Sequence, residues 1–345
     1  MRTISEPPTP TKTGILLINL GTPEATDFWS VRRYLRQFLS DKRVIQAHGP
    51  VWWLILNGII LTKRPRSLGR AYDLIWNRDL DESPLRSYSR AQAQKLAARF
   101  SDQPQIIIDW GMRYGTPPIG EGIDRLIAAG CDRLLLFPLY PQYSSATTGT
   151  AMDAAFDALK THHFQPSLRS VPPYFDHPAY IGALAESIRN HHAGLKWTPE
   201  VTIASLHGLP VDFISQGDPY QSHCETSVAM LRSALDLSET QMLLTYQSKT
   251  NRKEWIGPDT EETLIDLARR GIKNISLVAP GFAVDGVETL EELGVRAVQC
   301  FTKHGGQNIT IVPCLNASDL SIDMLQTLTG ENLWAGFDTQ VAADN

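Results

Sequence analysis

Two short segments carry side chains able to move protons or hold a metal. The first, Ser205-Leu206-His207-Gly208-Leu209-Pro210, sets one imidazole between an apolar run and a Gly/Pro turn. Imidazole titrates near neutral pH and ligates divalent metals, so His207 can act as a general base or ligand, or simply as a hydrogen-bonded loop residue. The second is Asp285-Gly286-Val287-Glu288-Thr289-Leu290-Glu291-Glu292. Spacings of three and four share a helical face, so Asp285, Glu288 and Glu292 should form a carboxylate stripe whose repulsion a cation or proton would relieve. Asp285 and Glu288 also have capping-box spacing, which is the competing, structural reading. The same spacing at Asp259 and Glu262 predicts a helix start and nothing more. Tyr114, Tyr140, Tyr143, Trp255 and Phe282 can be core residues or the walls of a site for a flat apolar ligand.

The elements that must position these residues alternate. Apolar runs at 14–21, 105–109, 133–137, 201–206, 242–247, 274–279 and 308–313 read as buried strands. Amphipathic stretches at 27–39, 88–100, 120–129, 151–160, 179–191, 224–234 and 261–270 read as helices. Such alternation predicts parallel α/β sheets. The halves echo each other: LIAAGCDRLLLF begins at Leu126 and LARRGIKNISLV at Leu267, with Gly130 and Gly271 each at a helix C′ position. Two similar α/β domains with a ligand cleft between them are therefore expected, with the chemistry just beyond the carboxyl ends of the strands.

Composition narrows the class. The chain has 345 residues, 42% hydrophobic and 20% charged, an ordinary globular balance with enough apolar side chain for a sizeable core. A net charge of −5 excludes a broad basic face for nucleic acid. Cys131, Cys224, Cys300 and Cys314 form no C-x-x-C pair, so neither a zinc knuckle nor a disulfide framework is suggested. The Pro/Thr-rich segment 1–13 has no apolar stretch and reads as a tail, with a cytosol-facing protein as the default. Residues 51–61, VWWLILNGIIL, are followed by Lys63, Arg64, Arg66 and Arg70. A spanning helix needs about 20 apolar residues, so this run is either a buried helix or a lip that dips into a membrane surface.

Taken together, six segments resemble ferrochelatase motifs, in the order that family has them. They are Leu17-Ile18-Asn19-Leu20-Gly21-Thr22-Pro23, Tyr140-Pro141-Gln142-Tyr143-Ser144, Ser205 to Pro210, Gly217-Asp218-Pro219-Tyr220, Tyr246-Gln247-Ser248-Lys249, and Asp285 to Glu292. Each is weak alone, and six in register are specific. The resemblance spans roughly Gly14 to Leu328. It implies two similar Rossmann-like, chelatase-type domains around an active-site cleft. It implies insertion of Fe²⁺, as substrate, into protoporphyrin IX to give protohaem, the terminal step of haem synthesis. His207 matches the family's active-site histidine and Glu288 its partner glutamate, and both are catalytic and metal-binding candidates. Arg113, Tyr114, Tyr140, Trp255 and Phe282 are implied to line the porphyrin site. Arg64 and Ser83 match residues near the propionates. Asp285 and Glu292 are candidates for a proton or iron relay. Leu20 stands where an apolar residue accompanies protoporphyrin IX and a tyrosine coproporphyrin III.

Two departures matter. Some members have a second histidine two residues before the glutamate, where this chain has Gly286. Some hold a [2Fe–2S] cluster mainly through C-terminal cysteines; here the segment from Trp334 to Asn345 has none, Ser145 replaces another ligand, and no cluster is expected. The expected organisation is a tail at 1–13, a first domain at 14–165 with a membrane-facing lip at 51–66, a second domain at 166–330, and a tail at 331–345. Implied partners are protoporphyrin IX, ferrous iron, the inner face of the cytoplasmic membrane and an upstream porphyrinogen oxidase. The alternatives are a coproporphyrin III or cobalt chelatase of the same fold, or a non-catalytic porphyrin or haem carrier. A carrier needs an axial ligand but no proton acceptor.

Overall fold

Continuous apolar runs without polar alternation make strands covered on both faces. In the computed structural model, which describes residues 11–47, 49–249 and 254–334, they form two parallel sheets. The first has β1 (Lys12–Gly21), β2 (Ile106–Tyr114), β3 (Cys131–Pro138) and β4 (Ser167–Ser170) in the order β2-β1-β3-β4. The second has β5 (Val201–His207), β6 (Met242–Gln247), β7 (Asn274–Val278) and β8 (Asn308–Ile311) in the order β6-β5-β7-β8. The topology is thus repeated, as the sequence echo predicts. Gly130 and Gly271 do follow helices Ile119–Ala128 and Thr260–Arg269 at positive φ, 86° and 93°, where a side chain would be strained. Ile15, Leu16 and Ile18 are fully buried in succession, because helices cover both faces of β1.

Several boundaries differ from those expected. β1 starts at Lys12, and Thr13 is fully buried with its N–H on the Gln105 carbonyl at 2.9 Å, so the N-terminal tail ends earlier than residue 13. β2 runs five residues past 109, which puts Trp110, Arg113 and Tyr114 within a strand. β4 lies beyond residue 165 yet pairs with β3, so the first sheet crosses the expected domain boundary. Helix Asp319–Asn332 packs on helix Pro84–Arg99 of the first half. Arg99 meets Asp323 at 2.7 Å, and Gln92 Nε2 donates to the Asn316 carbonyl at 2.7 Å. Order persists past 331: Leu333 is buried, and Arg169 lies over the Trp334 ring at 4.6 Å. The rest of the expected C-terminal tail lies outside the described residues.

Residues 51–61 are neither a core helix nor wholly a surface. Helix Pro50–Ile55 leads through a π-turn, Leu56–Ile60, into helix Leu61–Ile75. Leu56 and Leu61 are buried with Val31, Tyr34, Leu35 and Leu39 of helix Phe28–Ser40, whereas Val51, Trp53, Leu54 and Ile59 are each more than half exposed. Among the described residues no helix is long and apolar enough to cross a membrane.

Asp27 starts helix Phe28–Ser40 by accepting the Trp29 and Ser30 N–H groups, and Asp41 ends it. The Asp41 carboxylate accepts from Thr150, Arg113, Tyr114 (2.8 Å) and the Arg43 N–H (2.8 Å), which ties the helix end to β2. Burial pushes this carboxyl up, but the bonds from Thr150, Arg43 and Tyr114 and the Arg113 charge outweigh it, leaving it below the usual 3.8. A depressed carboxyl stabilises the fold above its unfolded-state pKa, and the effect is lost as pH falls through the folded value. Asp41→Asn should therefore lower the melting temperature at pH 7, with the gap from the parent closing below about pH 4; thermal melts across pH 3–8 check this, and a pH-independent gap would refute it.

Candidate active site

In a parallel sheet the strand ends are where polar side chains can face a ligand without breaking the ladder. Three such ends converge in the second half. His207 is the last residue of β5, not the first after it, and pairs in register with Gln247, the last of β6. Its backbone is held on both sides: the Tyr220 hydroxyl donates to the His207 carbonyl at 3.0 Å, and the Gly208 N–H donates to the Gln247 carbonyl at 2.8 Å. A Cβ at Gly208 would sit 2.8 Å from that carbonyl and 3.0 Å from the Trp255 ring, so glycine is required for the close approach. The imidazole is exposed, with Nδ1 2.6 Å from the Gly208 carbonyl. A carbonyl only accepts, so Nδ1 carries the proton, and Nε2 of the neutral ring holds the lone pair needed by a base or ligand.

Glu288 comes from the loop after β7, at the start of a π-helical segment, Glu288–Ala297. Burial pushes its carboxyl up; the nearby His207 charge lowers it and Glu292 raises it, so imidazole and carboxyl lie within electrostatic reach of each other. Tyr34 and Tyr72 of the first half feel the same carboxylate, so Glu288 faces across between the halves. A Cβ at Gly286 would lie 3.2 Å from Glu288 Oε2; where some ferrochelatases have a histidine, this chain leaves the carboxylate room.

The expected carboxylate stripe does not form, because Asp285 precedes the helix and the helix is π-wound. Asp285 is buried and accepts from Asn316 Nδ2 at 2.6 Å and Thr289 Oγ1 at 2.8 Å. It caps no helix, so the capping-box reading also fails there, whereas Asp259 does accept the Glu262 N–H at 3.0 Å. Glu292 turns to Ser248, accepting its N–H and hydroxyl at 2.8 Å each, and meets Arg296 at 3.2 Å.

The remaining named residues are scattered in depth. Tyr114 is buried, its ring edge-on to Phe38, while Leu20 packs partly buried on the same cluster. Arg113 spends its guanidinium on Asp41 and on Thr150 at 2.6 Å. Tyr140 and Phe282 are partly buried, each against its own half's core, and the Tyr140 hydroxyl is shielded from solvent without a partner. Trp255 rests on Gly208, with its indole N–H likewise unpartnered. Ser83 is buried as N-cap of helix Pro84–Arg99, and Arg64 lies on the exposed face of helix Leu61–Ile75. Two motif residues have roles that spacing did not reveal. Asp218 accepts from Ser144 Oγ, Ser145 N and Ser145 Oγ at 2.7–3.0 Å, joining the halves. Gln142 donates to Ser227 Oγ at 2.9 Å across the same seam. Both lie in motifs quoted from the sequence, and that was the available signal. Asp41 lies in none.

Among the described residues no group of three or more His, Cys, Asp or Glu side chains could hold a metal ion. The site offers one imidazole and one carboxylate, an acceptable donor pair for ferrous iron whose remaining ligands come from elsewhere.

Comparison with known proteins places the chain as a whole. The chain is 47% identical over 322 residues to a ferrochelatase of Agrobacterium fabrum (strain C58 / ATCC 33970), covering 93% of this chain and 94% of that one. It is 48% identical to a ferrochelatase of Rhizobium meliloti (strain 1021), covering 93% and 95%. Its fold is similar to that of SirB from Bacillus subtilis, solved with Fe³⁺, at a TM-score of 0.56 and 10% identity over 93% of this chain and 95% of that one. The ferrochelatase family model matches residues 12–333. The chain belongs to the ferrochelatase family.

Proposed function

We propose that this chain inserts Fe²⁺ into protoporphyrin IX between His207 and Glu288. The observation that carries the reading is that β5 and β6 end in register at His207 and Gln247 and that Gln247 bonds Glu288, setting an exposed imidazole and a buried carboxyl at one group of strand ends. A free-base porphyrin must lose two pyrrole N–H protons as Fe²⁺ enters. His207 Nε2 takes one, and the nearby Glu288 carboxylate, whose proton affinity burial has raised, takes the other. Before proton transfer the same two groups can bind the incoming metal. Leu20, an apolar side chain beside Phe38 and Tyr114, supports protoporphyrin IX over coproporphyrin III. Tyr140 and Trp255 bring flat apolar surface to the site, and Arg64 brings positive charge for a propionate, whereas Arg113, paired with Asp41, serves by holding the Tyr114 wall in place. Working without a [2Fe–2S] cluster is supported by Ser145, whose hydroxyl is committed to Asp218.

The porphyrin is flat and poorly soluble, so collecting it from a bilayer avoids a passage through water. Exposed Val51, Trp53, Leu54 and Ile59, with Lys63 and Arg66 on the following helix, suit a shallow insertion at the cytoplasmic membrane surface, where an upstream porphyrinogen oxidase could release its product. Each basic residue near anionic lipid contributes about 1 kcal/mol, enough with one apolar insertion for reversible binding.

Expected outcomes are specific. His207→Ala should bind porphyrin yet lose about 10²–10⁴ in kcat for iron insertion, measured anaerobically by absorbance; near-normal turnover would remove His207 from the mechanism. Glu288→Gln should lose a similar factor while melting no lower than the parent at pH 7. A carboxyl raised by burial costs stability once ionised, and glutamine removes that cost. A large drop in melting temperature would assign Glu288 a structural role instead. Replacing Val51, Trp53 and Leu54 together by serine should leave the fold intact, abolish flotation with anionic liposomes and raise the porphyrin KM. Unchanged flotation would exclude the lip.

A further inference from the structure

Gln247 ends β6 opposite His207 and is buried. Its backbone carbonyl accepts the Gly208 N–H. Its side-chain amide does something else: Nε2 donates to the Glu288 backbone carbonyl at 2.9 Å, and Oε1 accepts the Ser205 hydroxyl at 2.7 Å. The Ser205 hydroxyl is 2.8 Å from that of Thr260, which is 2.8 Å from that of Thr245. Ser205, Thr245 and Thr260 are all buried, and no water is needed to complete the set.

The direction of this chain of bonds follows from its end. The Glu288 carbonyl can only accept, so the amide must present N–H to it and its oxygen to Ser205. Ser205 then gives its single proton to Gln247 and must receive one from Thr260, which in turn receives one from Thr245. Every donor points the same way, toward Glu288. A buried network with one allowed arrangement is rigid, and reversing one member would strand a buried polar atom.

We infer that Gln247 is the positioning residue of the chelatase site: it fixes the spacing between His207 and Glu288. Through its main chain it anchors the turn that follows the imidazole. Through its side chain it anchors the first residue of the π-helical segment that carries the carboxylate. Among the described residues the link from the His207 strand end to Glu288 runs through Gln247, and Glu292 is held separately by Ser248. The inference rests on the reading of His207 and Glu288 as the reacting pair.

Gln247→Met keeps length and removes both side-chain hydrogen bonds. Iron-insertion kinetics of the full chain, with Fe²⁺ and protoporphyrin IX, should show kcat reduced about 10–100-fold, the scale of a misplacement near 1 Å, with porphyrin KM within about twofold. Ser205→Ala leaves the bond to Glu288 but frees the amide to rotate, so its kcat should fall less. Gln247→Asn, too short to reach the Glu288 carbonyl from the same backbone, should not restore the rate. A merely structural Gln247 would lower melting temperature and active fraction while leaving kcat per bound porphyrin unchanged; that result would overturn the inference. A parent-like kcat in Gln247→Met alongside an inactive His207→Ala would overturn it while sparing the reacting pair, whereas an active His207→Ala would instead fail the reading beneath it.

Discussion

Covered on both faces by helices, a parallel sheet has no solvated face, so a polar group can serve a ligand only at a strand end. Most of the molecule follows from that constraint. Each half uses the same four-strand order, and in the second half the strand ends deliver His207 from β5, Gln247 from β6 and the Glu288 loop from β7. Glycine at 208 is part of the same economy of space, because the Gln247 carbonyl and the Trp255 ring approach too closely for a side chain.

The proposed reacting pair is small, an imidazole and a carboxyl with environments that differ: one exposed, the other pushed toward its protonated form by burial. Around it lie fully satisfied polar residues. Asp285 is bound to Asn316 and Thr289, Glu292 to Ser248, Asp218 to Ser144 and Ser145, and Asp41 to the Arg113–Thr150 pair. Carboxylates so engaged brace the fold. The Glu288 carboxyl is lowered by its own backbone N–H, and burial outweighs that and pushes it up.

Periodicity made the long elements legible. The apolar runs of β1, β3, β5 and β6 and the Gly130 and Gly271 turns are strong local signals that burial reinforced. Four-residue β4, with two arms of it exposed as Ser167 and Ser170, has no such signal and was invisible. Helix Asp319–Asn332 lacks a clean signal too, since Ser321, bonded to Gln92 of helix Pro84–Arg99, and Thr329 are buried among its apolar residues and blur the stripe. The Asp285–Glu292 spacing fits an α-helix, and a π-wound segment breaks that arithmetic. Residue type and motif order single out His207 and Glu288 in the sequence, and the fold sets both at neighbouring strand ends. Which neighbours brace them depends on contacts that only the fold makes, as between Gln247 and Glu288.

The strap formed by helix Asp319–Asn332 bears on how the chain is made. Its anchors to the first half, such as Arg99 to Asp323, join residues 224 positions apart, and Leu325 and Leu328 share a core with Leu96 and Phe100. During synthesis, which proceeds at about 5–20 residues per second, the first half emerges long before the surface that covers it. Its helix Pro84–Arg99 can pack on β1 and β2 at once, but the outer part of its core closes only when the last helix arrives, so the first half reaches its final packing late in synthesis.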